Sequence, residues 1–165
     1  MTAFNIPLFT STAHCPPPAL CFEGAAFRHE GKVLLGPCTF SLDGTGPSLV
    51  MGPNGAGKSL LLRLAHGLLS PTQGQVTWSC GGRPRQAMVF QQPVLLRRSA
   101  MANLIHALAV NNVPRKTRAK RALDALERFG LAACRDTPAR VLSGGEQQRL
   151  ALARAWVLSP KVLFL

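Results

Sequence analysis

The spacing of apolar positions changes along this chain from strand-like to helical. Phe22–Phe27 and Val33–Leu42 read as two strands joined by the polar turn His29-Glu30-Gly31-Lys32. Asp43-Gly44-Thr45-Gly46-Pro47 is a turn cluster. Ser48-Leu49-Val50-Met51 then predicts a short buried strand, and Leu60–Leu69 an apolar helix that Ser70-Pro71-Thr72-Gln73-Gly74 ends. Gln75–Trp78 and Gln86–Phe90 predict two further strands, with Cys80-Gly81-Gly82-Arg83-Pro84 as the loop between them. Beyond Gln91-Gln92-Pro93 the pattern turns helical. Met101–Val110 is amphipathic, and Arg115–Phe129 more strongly so. In the second, Ala119, Ala122, Leu123, Leu126 and Phe129 recur at three- and four-residue spacing on one face. Pro114 stands where a helix can start and Gly130 where it can stop. Arg135–Arg140 is a loop. Glu146–Leu158 is a helix broken by Ser159-Pro160, and Lys161–Leu165 is an apolar strand. There is no internal repeat and no low-complexity tract.

Composition narrows the class. A chain of 165 residues is one domain by length and can bury a real core. Its hydrophobic content of 47% is that of a globular protein. No run approaches the roughly 18 to 20 apolar residues that cross a bilayer. Met1–Leu20 lacks a basic start and contains Pro16-Pro17-Pro18, so it reads as a loose, partly extended tail and not as a secretory signal. The cysteines (Cys15, Cys21, Cys38, Cys80, Cys134) are odd in number, widely spaced and never in C-x-x-C. That spacing argues against a disulfide framework or a zinc site and fits a reducing cytosol. His14, His29, His66 and His106 form no metal-binding pattern. The net charge of +12 admits nucleic acid, anionic lipid or an anionic ligand as partner. Basic residues concentrate at Arg83–Arg98 and Arg115–Arg121, the latter reading as the solvated face of a helix.

Two short motifs carry the chemistry. Gly52-Pro53-Asn54-Gly55-Ala56-Gly57-Lys58-Ser59 fits G-x-x-x-x-G-K-[ST], a phosphate-binding loop between a strand and a helix. Its glycines let the backbone curl around an anion without Cβ clashes, and its N–H groups point inward, helped by the helix that follows. Lys58 then reaches the β- and γ-phosphates, and the Ser59 hydroxyl suits Mg²⁺. This loop alone leaves ATPase, GTPase and kinase open. The second motif is Leu142-Ser143-Gly144-Gly145-Glu146-Gln147-Gln148-Arg149. Ser143 can cap the next helix, Gly144-Gly145 leave bare backbone for an anion, and Glu146 completes a capping box. By itself it reads equally as a capped helix.

Together the two motifs resemble the ATP-binding subunits of ABC transporters, with LSGGEQQR as the family's signature. The resemblance covers about residues 22–165. It implies an α/β fold: a P-loop NTPase core with a mostly parallel sheet, an N-terminal antiparallel β subdomain, and an inserted helical subdomain at about 92–140. Residues 1–20 are then a tail and 21–165 the ATP-binding domain. It also implies site roles. Gly52, Asn54, Gly55, Ala56, Gly57, Lys58, Ser59 and Leu60 surround the triphosphate of ATP. Ser59 and Gln91 hold Mg²⁺, and Gln91 reports nucleotide state to a membrane subunit. Lys58 and Gln91 are the groups nearest the chemistry. Ser143, Gly144 and Gly145 close over the γ-phosphate held by a second copy packed head to tail. His29 is the positional match for the adenine-stacking residue, with Phe27 second; for Phe27 a place in a core strand is the favoured reading.

The departures define further expectations. Leu60 replaces a common Ser or Thr near the α-phosphate, and His29 replaces an aromatic, commonly tyrosine. The family's Asp-Glu pair follows the strand seen here as Val162–Leu165, and the sequence stops before it. The resemblance therefore implies an N-terminal piece of a longer protein, with little hydrolytic power and an unpaired sheet edge. The function implied is coupling of ATP binding and hydrolysis to solute transport by permease subunits at the cytoplasmic face of the inner membrane. A periplasmic solute-binding protein takes part indirectly. GPNGAGKSLLLRLAHGLL and VFQQPVLLRRS look most like bacterial oxyanion importers (tungstate, molybdate or phosphate). The alternative is a soluble ABC ATPase acting on nucleic acid or the ribosome. The charge favours it slightly, and the short Gln91–Leu142 segment disfavours the coiled-coil form. A GTPase or small-molecule kinase lacks support: no N-K-x-D for guanine is present, and the signature motif has no role in either.

Overall fold

Strand β1 (Leu20–His29) organises the N-terminal half by pairing antiparallel with β2 (Lys32–Leu42) on one side and β3 (Gln73–Trp78) on the other. The structure, a computed structural model, describes residues 19–79 and 81–165. It divides into a unit ending at Pro84 and a second unit, Arg85–Leu165. The expectations for the tail over residues 1–18, Cys15, His14 and Cys80 fall outside the described residues. Leu20 lies two residues before the expected strand start and is buried.

In the first unit Leu20, Phe22, Ala25 and Ala26 are buried on β1, and Phe22 stacks on Phe40 of β2 at 4.6 Å. The register of β1 shifts between Glu23 and Ala26 opposite β3, with Gly24 at φ 57°. Gly74 fits against that bulge only because it lacks a side chain. At φ 70°, a Cβ there would lie 2.3 Å from Gly24 backbone. Helix α1 (Lys58–His66) ends at Gly67, whose N–H returns to Arg63 and Leu64 carbonyls. Arg83 adds a guanidinium bond to the His66 carbonyl at 3.0 Å.

The buried strand expected at Ser48–Met51 does not form. Among the described residues no strand of its unit runs beside it, and an extended segment without a ladder partner has nothing to pair with. Leu49 and Met51 are accordingly 82% and 81% exposed. The expected helix Leu60–Leu69 begins and ends earlier, because Gly57 and Gly67 set its limits.

The second unit pairs β4 (Gln86–Met88) with β5 (Val162–Phe164) in parallel, the connection between them running through three helices. These are α2 (Ala100–Val110), α3 (Arg115–Arg128) and α4 (Gly144–Trp156), with 3₁₀ turns at Ala132–Cys134 and Ala139–Val141. Both strands are shorter than their apolar runs. The ladder ends where β4 turns toward Pro93, which leaves Phe90 exposed. Leu104 and Leu108 from α2, Ala122 and Leu126 from α3, and Leu150 and Ala153 from α4 form one buried cluster. Of the face expected on α3, Ala119 is exposed, and Phe129 packs edge-on to Trp156 at 6.1 Å. Two arginines far apart in sequence serve the end of α4. Arg121 donates to the Val157 carbonyl at 2.7 Å and Arg85 to that of Leu158 at 3.2 Å, where the helix dipole favours cations.

Asn103 is the buried polar residue of this core. Its Oδ1 accepts the Leu96 N–H at 2.9 Å, and its Nδ2 donates to the carbonyls of Leu96, Arg98 and Ser99. One side chain thus fastens the segment before α2 to the helix itself. Replacing it leaves several buried backbone groups unsatisfied. Asn103→Ala is expected to lower unfolding free energy by about 2 to 3 kcal/mol in urea denaturation. A loss under about 0.5 kcal/mol would contradict this role.

Candidate functional site

The residues of the first motif form a tight turn feeding directly into α1. Ala56 N–H donates to the Pro53 carbonyl at 3.3 Å, and Gly55 and Gly57 take φ 83° and 84°. Gly57 occupies the N-cap position with no side chain to bond the first-turn N–H groups, so those donors stay available to an anion. Gly57 also needs its bareness for packing. A Cβ there would sit 3.0 Å from Leu35 Cδ1 and 3.3 Å from the Leu34 carbonyl. Strand β2 therefore supports the turn from behind.

Lys58 Nζ folds onto the turn's own carbonyls, at 2.9 Å from Gly52 O and 2.7 Å from Pro53 O. The cation thus stands at the turn that the amide donors frame. Gly52, Asn54, Gly55, Ala56 and Ser59 are exposed, while Lys58 and Leu60 are half-buried. A Cβ at Gly55 would meet nothing within 4 Å, so the surface here is open to a ligand. These features fit a triphosphate: uncapped amides, a cation and room. The exposed Ser59 hydroxyl is the hard oxygen that Mg²⁺ prefers. His29 ends β1, is exposed, and has Nε2 3.9 Å from Glu30 Oε1. It lies near the tip of the hairpin whose Leu35 reaches Gly57. Phe27 is half-buried in β1, opposite Leu35.

The second motif opens α4 with a complete capping box. Glu146 N–H donates to Ser143 Oγ at 3.4 Å, while the Ser143 N–H and hydroxyl donate to Glu146 Oε2 at 2.8 and 2.7 Å. Gly144 and Gly145 are exposed first-turn residues, and a Cβ at Gly144 would meet nothing within 4 Å. Gln147 holds the motif's approach by donating to the Leu142 carbonyl at 2.9 Å.

Gln91 lies after β4 with its side chain exposed. Its carbonyl accepts from Gln148 Nε2 at 2.9 Å. The glutamine expected near the metal and the signature helix are therefore joined by one bond within the second unit. Periodicity could not show this link, since Gln148 reads simply as a polar helix position. Next to it, β4, α2 and α4 enclose a mainly apolar groove of about 430 Å³ lined by Met88, Phe90, Val94, His106, Val110 and Arg154 among others. Burial holds the Arg154 guanidinium below its ordinary pKa. Among the described residues no His, Cys, Asp or Glu cluster could hold a metal.

The hydroxyl and backbone bonds from Ser143 hold the Glu146 carboxyl below its ordinary value of 4.5. The sign follows for folding: a depressed folded pKa contributes stability above the unfolded value, lost as pH falls through the folded one. Carboxyl-detected NMR is expected to place the Glu146 midpoint below 4.5, and Ser143→Ala to move it upward. An unshifted midpoint in both proteins would show that the capping box does not hold the carboxylate.

Comparison with known proteins agrees with this geometry. The profile of the ABC transporter family matches residues 36–165. A ferric-ion import ATP-binding protein of Pasteurella multocida is 43% identical over 122 residues, covering 69% of this chain and 35% of that protein. An aliphatic-sulfonate import ATP-binding protein of Mesorhizobium japonicum is 36% identical over 149 residues, covering 89% of this chain and 56% of its own. Among solved structures, cbiO from the cbiONQ ABC transporter complex of Clostridium perfringens matches with a TM-score of 0.74. Its identity is 26%, over 87% of this chain and 63% of that one. The chain spans about a third to just over half the length of these two curated relatives. The α/β fold, the two glycine-flanked motifs and the family match together place this chain in the ABC transporter family, with the fold of its ATP-binding domain.

Proposed function

We propose that this chain is the nucleotide-binding part of an ABC importer's ATPase subunit. The observation that carries the reading is the turn at residues 52–59: bare first-turn amides, two left-handed glycines and the Lys58 ammonium converge on one open surface. In this reading Gly52, Asn54, Gly55, Ala56, Gly57 and Leu60 surround the triphosphate. Lys58 leaves the Gly52 and Pro53 carbonyls for the β- and γ-phosphates. Ser59 and Gln91 are the oxygen ligands for Mg²⁺, which neutralises phosphate charge when bound. His29 lies against the adenine. Ser143, Gly144 and Gly145 offer donors to the γ-phosphate on a second copy of the subunit.

Two ATP molecules are then shared between two copies, and self-association depends on nucleotide. The part of the reaction proposed for these residues is holding the triphosphate and stabilising its charge, on which phosphoryl transfer depends.

The subunit sits peripherally on the cytoplasmic face of the membrane, docked on permease subunits and served indirectly by a solute-binding protein. Among the described residues no helix is long and apolar enough to cross a membrane. The apolar groove beside Gln91, with Phe90, Val94 and Val110 exposed at 45%, 75% and 62%, suits a partner at that surface. The proposed cargo is an oxyanion. Support comes from the wording of the two motif regions and from a relative named for aliphatic sulfonates, which are anions with an SO₃ head.

The test measures ATP affinity and ATP-driven self-association together. Lys58→Ala is expected to weaken ATP binding roughly 100-fold, since a charged hydrogen bond contributes up to about 3 kcal/mol. Ser143→Arg is expected to leave monomer affinity unchanged and abolish the ATP-dependent dimer seen by sedimentation. Unchanged ATP affinity in Lys58→Ala contradicts the loop assignment. Persistent dimers in Ser143→Arg contradict the signature assignment.

A further inference from the structure

We infer that Glu146 sets the affinity of the signature loop for the partner's nucleotide, because its carboxylate occupies the donors that a phosphate needs. The inference rests on the proposed role of Ser143–Gly145. Two donors of Ser143, its N–H and its hydroxyl, converge on a single oxygen, Glu146 Oε2, at 2.8 and 2.7 Å. Bonds of this length to an ionised oxygen are the strong, charge-assisted kind. The carboxylate therefore already sits where the motif presents its hydroxyl and one amide to an anion. The Gly144 and Gly145 amides are first-turn donors that no intrahelical carbonyl can take. They remain open, and the space above Gly144 is empty to 4 Å.

An incoming γ-phosphate meets two costs here. It must displace the carboxylate from Ser143, and it approaches a like charge at a few ångströms. Arg149 supplies a place for the displaced group. It lies one turn further along α4, at i+3 from Glu146 and half-buried like it, and its charge already acts on that carboxylate. Cys134 Sγ, 3.6 Å from Glu146 Oε1, bounds the other side and offers only a weak donor. The carboxylate thus behaves as a resident anion, ordering the loop when no nucleotide is present and yielding toward Arg149 when one arrives. Glu146 is a positioning residue in this scheme: it touches Ser143 and not the proposed substrate.

A glutamine at this place keeps the capping box, since its Oε1 still accepts from the Ser143 N–H, and removes the charge. Glu146→Gln therefore separates competition from folding. Self-association of the protein is followed by sedimentation over a range of Mg-ATP concentrations, alongside ATP affinity at protein concentrations where only monomer is present. The expected result is a half-point for dimerisation about tenfold lower in Glu146→Gln than in the parent, as removing one like charge at close range predicts. Monomer affinity is expected to stay the same, a split that a merely structural role would not produce. An equal or higher half-point, with thermal unfolding unchanged, overturns the inference and leaves the Ser143 assignment standing. If the parent protein binds ATP and never dimerises with it, the signature reading fails and this inference fails with it.

Discussion

Unpaired amides at the start of a helix are the constraint on which this structure depends. A helix cannot bond its own first-turn N–H groups, so something else must take them. The chain solves this differently at its two motif helices. At α1 the cap is Gly57, which brings no side chain and leaves the donors uncapped. At α4 the cap is Ser143 with Glu146, which fills part of the same need internally. One site is bare and cationic, with Lys58 resting on nearby carbonyls; the other is partly occupied by its own carboxylate. Two versions of one backbone feature thus leave one helix start uncapped and the other partly filled.

The scaffolds serve these two turns. In the first unit, β2 comes within 3.0 Å of where a Gly57 Cβ would lie, at a φ of 84° that favours glycine, and the bulge at Gly24 lets Gly74 pass. The antiparallel sheet is therefore shaped around its glycines as much as around Phe22 and Phe40. In the second unit, Asn103 fixes the segment before α2, and Arg121 and Arg85 bind the carbonyls at the far end of α4. Part of the large positive charge is thereby employed on helix carbonyls. Among the described residues Arg135 and Asp136 form a close ion pair at 2.8 Å, exposed and worth little.

Much of this was legible from residue order because the decisive signals are local. Glycine spacing, Ser143 followed by Glu146, and the 3.6-residue period of α3 each act within one turn or helix. Pro114 and Gly130 flank α3 as expected, with Gly130 at φ 66°. The failures are non-local. Ser48–Met51 has the apolar content of a strand, but a strand is defined by its neighbour, and the described residues of its unit provide none. Gln148 and Asn103 look like ordinary polar helix positions. Their importance lies in bonds to Gln91 and Leu96, which periodicity does not encode. Arg121 reads as part of a solvated charge run, yet it donates to a backbone carbonyl.

The central claim is that the bare turn and the Ser143 loop bind the same triphosphate from two different copies of the chain. Amide-resolved NMR of the protein during Mg-ATP titration tests it most directly, at a dilute and a concentrated protein level. The account predicts that Gly55, Gly57, Lys58 and Ser59 amides shift saturably at both levels. Ser143, Gly144 and Gly145 amides should shift only in the concentrated sample. Shifts of the Ser143–Gly145 amides in dilute monomer, or no shift at Gly55–Ser59, would contradict it.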